Sequence, residues 1–170
     1  AGGKYSIDFE PASAGDTYYV LTSDAVYAPD ALAKDTTSSL FDTENGADYL
    51  LITRGEIGLY INGEPLPWLS DLVALREGQG LRVQVVDIED IYDEFSYGIK
   101  HPQALKDFLS YAYSNWRPPA PQYVLLVGDS TYDFKDNYNR GTINHVPAYT
   151  IFTDYMGETV TDEYFVTISG

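Results

Sequence analysis

Gln122-Tyr123-Val124-Leu125-Leu126-Val127-Gly128-Asp129 decides the fold. From Tyr123 to Val127 every side chain is apolar, so neither face of a strand is left for water, and strands covered on both faces belong to parallel sheets flanked by helices. Two further runs read the same way: Asp48-Tyr49-Leu50-Leu51-Ile52-Thr53 and Leu81-Arg82-Val83-Gln84-Val85-Val86-Asp87. Between the first and second strands, Leu66, Leu69, Val73 and Arg76 share one face of a helix predicted over 65–77, which Gly78 and Gly80 stop. Between the second and third, Leu105, Phe108, Leu109, Ala112 and Trp116 recur at helical spacing over 102–116, with Pro102 in the opening turn and Pro118-Pro119 as the break. Strand, helix, strand, helix, strand with right-handed crossovers gives an α/β fold of three layers: a mostly parallel sheet with helices on both faces, Rossmann-like or flavodoxin-like.

Upstream, residues 1–45 form a β-rich segment of short runs such as Thr17 to Thr22, broken by turn chemistry at Ala28-Pro29-Asp30 and Glu44-Asn45-Gly46. The expected organisation is therefore this segment, preceding or packed on the core, and an α/β subdomain over 46–170. Beyond Asp129 the chain turns polar and rich in Asn and Gly, then ends in two β-like runs, 146–153 and 164–169.

Ten basic against 26 acidic residues give a net charge of −16, which repels nucleic-acid phosphates and disfavours an anionic membrane surface. The charge divides evenly between the two halves, so no acidic tail or basic arm stands apart. With no cysteine there is no disulfide, no thiolate metal site and no cysteine nucleophile in these 170 residues. The longest apolar run is far short of the roughly 18–20 residues that span a bilayer. A start at Ala1 without an initiator Met reads as a piece cut from something longer.

In an open α/β sheet, ligands meet the carboxyl ends of the strands. Three segments fall there: Thr53-Arg54-Gly55, Asp87-Ile88-Glu89-Asp90 and Gly128-Asp129-Ser130. In the third, Asp129 with Asp133 and Asp136 after it offers hard oxygen donors for a cation such as calcium; the competing role for Asp129 is to cap the following turn. Val127-Gly128-Asp129-Ser130 also resembles the serine block of GDSL esterases, with Ser130 as nucleophile. That block opens its domain, however, and needs a late Asp-x-x-His base that neither His101 nor His145 provides. The cluster Asp87, Glu89, Asp90, Asp93 and Glu94 reads either as paired carboxylates for acid–base work or as the solvated start of a helix, where carboxylates complement the helix dipole. His101, ahead of Pro102, reads as a helix-boundary residue, and His145 as a loop residue. The 16 tyrosines admit a glycan-binding surface, although most fall where packing accounts for them. No phosphate-cradling glycine loop is present, since Gly78-Gln79-Gly80 leads into a strand.

Residues 46–53, 85–96, 104–116, 123–129 and 161–165, in that order and spacing, resemble the gingipain-like cysteine peptidases. The resemblance implies a caspase-like α/β subdomain, the first of two in the catalytic region of such a peptidase. It implies that the second subdomain, the partner of this one, carries a His-Gly loop and the catalytic cysteine. Neither His101 nor His145 is followed by glycine. The resemblance further implies a bacterial, secreted or surface-exposed parent peptidase and a calcium role for Asp129, with further ligands downstream of Gly170. It names no catalytic residue and no cofactor within this chain.

Overall fold

The computed structural model describes residues 37–59, 64–133 and 135–168, together with Thr17 and Tyr19. Contacts divide the chain into two compact units, Ala1–Thr36 and Thr37–Gly170. Of the leading segment 1–45 read as β-rich, residues 1–16, 18 and 20–36 lie outside the described residues, and 37–45 form turns without a strand.

Three strands form the central sheet: β1 (Tyr49–Thr53), β2 (Val83–Asp87) and β3 (Tyr123–Val127). They are parallel in the order β2-β1-β3, with Tyr49 opposite both Val83 and Tyr123, and Thr53 opposite both Asp87 and Val127. All five residues of β1 are buried, as the central strand of a doubly covered sheet requires.

The period-two alternation of the strands divides the core in two. Leu50, Ile52 and Val86 join Ile88, Ile91, Leu105, Phe108, Leu109 and Phe165 on one face; Tyr49 and Leu51 join Leu69, Leu72, Val73 and Val85 on the other. The first cluster packs α3 (Ile88–Ser96), α4 (Pro102–Asn115) and the one-turn α5 (Glu163–Val166) against the sheet; the second packs α2 (Pro67–Gly78), next to the short α1 (Gly55–Gly58). This is the three-layer α/β architecture that the apolar strands predict.

Two features depart from the sequence pattern. The run 164–169 reads as β-like, yet Glu163–Val166 is helical, because burying Phe165 against the α3 and α4 side outweighs the strand preference of Tyr-Phe-Val. The run 146–153 is extended only at its end, where β4 (Thr150–Thr153) pairs antiparallel with β5 (Gly157–Val160), a strand the pattern does not show. The stretch 37–45 lies on the α/β unit. Glu94 of α3 accepts from the Leu40 and Phe41 amides at 2.8 and 3.1 Å, and Trp116 Nε1 donates to the Leu40 carbonyl at 2.9 Å.

Candidate functional site

The three strands end together, so the register that sets Thr53 beside Asp87 and Val127 brings the three candidate segments to one edge. Thr53 is fully buried, and its hydroxyl donates to the Val127 carbonyl at 3.2 Å, tying β1 to β3. α1 passes directly over it: a Cβ at Gly58 would stand 2.5 Å from Thr53 Cγ2.

Asp87 ends β2 and caps α3, its Oδ1 accepting the Glu89 amide at 3.0 Å. Burial pushes its carboxyl above the ordinary Asp value and the Glu89 charge adds to this, against the opposing Glu89 and Gly55 amides and the Arg54 charge. Around it runs a small ion network. Glu89 takes Arg54 Nε at 3.2 Å and Lys100 Nζ at 2.9 Å, and Arg54 also reaches Glu56 at 3.6 Å. Beneath lies Tyr92, buried, with a hydroxyl that has no hydrogen-bond partner among the described residues and that burial raises well above its ordinary pKa. The carboxylates here cap a helix and pair with cations, which is the helix-start reading of the cluster.

At the end of β3, Gly128 has φ +145°, and a Cβ there would lie 2.6 Å from His145 Cβ, so only glycine fits where the later loop crosses. The Asp129 carbonyl accepts the His145 amide at 2.9 Å, while the Asp129 carboxylate is exposed and makes no hydrogen bond among the described residues. Asp133 and Asp136 point their chemistry elsewhere. Asp133 accepts the Asn137 and Tyr138 amides at 2.9 and 2.8 Å, and Asp136 those of Arg140 and Gly141 at 2.8 and 3.0 Å. Burial alone would raise the Asp133 carboxyl, but these amides and the Asn137 side chain outweigh it and hold it below the ordinary value. Both are loop builders. Among the described residues no three His, Cys, Asp or Glu side chains are grouped to hold a metal ion, and one free carboxylate falls well short of the 6–8 oxygens calcium takes.

Ser130 is exposed and makes no hydrogen bond among the described residues, so no base activates it in this arrangement. His145 Nδ1 is buried and has no hydrogen-bond partner among the described residues. His101 caps α4, its Nδ1 accepting the Gln103 amide at 3.0 Å. Sequence reasoning placed Arg54 in a strand-end segment but passed over its partner Glu89 as an ion pair, and passed over Lys100 and Tyr92, since their association depends on which strands and helices meet.

Comparison with known proteins identifies the family. The profile of Peptidase family C25 matches residues 42–170. The chain belongs to peptidase family C25. It is also similar to the crystal structure of dimeric latent PorU from Porphyromonas gingivalis, at 25% identity and a TM-score of 0.54, over 74% of this chain. It spans 12% of the PorU chain. No curated protein matched. A C25 membership accords with the caspase-like α/β sheet and makes this a gingipain-like peptidase region. No described helix of this C25 chain is long and apolar enough to cross a membrane.

Proposed function

We propose that this chain is the non-catalytic first subdomain of the catalytic region of a gingipain-like cysteine endopeptidase, a scaffold for a second subdomain that carries the His and Cys dyad. One observation carries the reading: a member of a cysteine-peptidase family that contains no cysteine has no nucleophile for the family's chemistry. The short span relative to PorU supports a larger parent. In this reading 46–170 is the subdomain and 1–45 the β-rich segment before it. The parent is a bacterial protein, secreted or held at the cell surface.

What these residues do for the reaction is positional. Thr53, Asp87 and Gly128 fix the strand ends, and the Arg54–Glu89–Lys100 network holds α3 against β1, giving a rigid floor to which a catalytic loop is added. Asp129 presents one exposed carboxylate to a calcium ion whose remaining ligands come from the second subdomain. Calorimetry of this chain alone with millimolar calcium then gives no binding heat.

The test is a mixing experiment. The rest of the parent catalytic region, produced separately, is expected to hydrolyse Arg- and Lys-containing peptides only when this chain is supplied. Equal hydrolysis without it overturns the scaffold role.

A further inference from the structure

We infer that the amino-terminal end of the sheet, opposite the candidate site, carries a binding pocket for a carboxylate borne on a flat apolar body. A cavity of about 640 Å³ opens there between the first residues of β1 and β3 and the last turn of α2, within the range of roughly 300–1,000 Å³ usual for small-molecule sites. Its walls are of two kinds. Tyr49 and Tyr123 set their rings 6.0 Å apart at 30°, and Leu81 and Val124 extend the apolar surface. Against these stands Arg76, its guanidinium carbon 5.2 Å from the Tyr49 ring centroid.

Arg76 is the unusual member. In a chain of net charge −16, Arg54, Arg82 and Arg117 each face a carboxylate, whereas Arg76, like Arg140 on the Tyr138 ring, makes no ion pair among the described residues. Its Nη1 donates to Gln79 Oε1 at 3.1 Å, and its buried Nε has no acceptor among the described residues. A buried donor without a partner is costly, and a guanidinium stacked on an aromatic ring and fixed at one nitrogen is preorganised for an oxyanion. The two tyrosine rings supply the surface on which an aromatic or otherwise flat body lies. Nothing in this inference depends on peptidase chemistry.

The experiment is calorimetric titration of the chain with 4-hydroxyphenylacetate and with N-acetyl-Gly-Tyr, each beside its neutral amide. Either acid is expected to bind at least about tenfold more tightly than its amide, as a charge-assisted bond implies. That preference is expected to vanish in Arg76→Gln and to survive in weakened form in Arg76→Lys. Tighter binding of the free acid assigns the pocket to a small molecule, and tighter binding of the acetylated dipeptide assigns it to a peptide carboxyl terminus. Thermal midpoints verify that the variants are folded; should Arg76→Gln fail to fold, loss of acid binding in Tyr123→Ala, whose side chain is half exposed, carries the test. Equal binding of acid and amide, binding of neither acid, an acid preference that persists in a folded Arg76→Gln, or acid binding undiminished in a folded Tyr123→Ala overturns the inference.

Discussion

Asp48 receives three hydrogen bonds from Arg82: one from its backbone amide and one each from Nε and Nη2, all at 2.9 Å. These bonds hold the carboxyl at about 2 against an ordinary 3.8. A carboxyl whose folded pKa is depressed stabilises the fold above its unfolded value, and that contribution is lost as pH falls from about 3.8 towards 2. Asp48→Asn is therefore expected to lower the thermal midpoint at neutral pH, with the gap to the parent closing across that acid window. Thermal melts at a series of pH values check this. Glycines give a second contrast. Alanine is ordinarily the better helix former, but at Gly58 its Cβ meets Thr53, so Gly58→Ala is expected to cost about 1–3 kcal/mol in denaturant unfolding. At Gly78, where a Cβ meets nothing within 4 Å, the same change is expected to be neutral or stabilising by up to about 1 kcal/mol.

At the scale of elements, β1, β3, α2 and α4 were legible because their signals are local: unbroken apolar runs, helical spacing and proline at a first turn. The structure sets them within two residues of the sequence reading. α5 was not legible, since its conformation follows from burying Phe165 in a site the rest of the chain builds. The candidate site divides likewise. Its three segments could be read from strand ends, but the Arg54–Glu89–Lys100 network joins residues far apart in sequence, and the use of Asp133 and Asp136 as loop caps appears only once the loop is folded. Asp87 gives an element-scale prediction. Its raised pKa means that its carboxyl favours the fold below the unfolded value, an advantage lost as pH rises through the folded value. Asp87→Asn keeps a capping side chain without the buried charge, and is expected to be at least as stable as the parent at neutral pH. Asp87→Ala, which leaves α3 uncapped, is expected to lose about 1 kcal/mol. Phe108→Ala in α4, fully buried beneath the sheet, is expected to lose about 3–5 kcal/mol.

For the whole molecule, sheet, layers and family agree on a caspase-like α/β region, and the chemistry of the chain sets what that region does. Among the described residues, the carboxylates of Asp87, Asp133 and Glu89 cap a helix, close a loop and pair with cations, and Ser130 makes no hydrogen bond to a base. On the proposal that this region is a scaffold, it lends rigidity and leaves bond cleavage to groups supplied by another part of the parent. The most direct measurement is the release of labelled peptides from casein by the purified chain alone under reducing conditions. The account predicts a rate indistinguishable from buffer, and sustained release that travels with the chain through purification would contradict it.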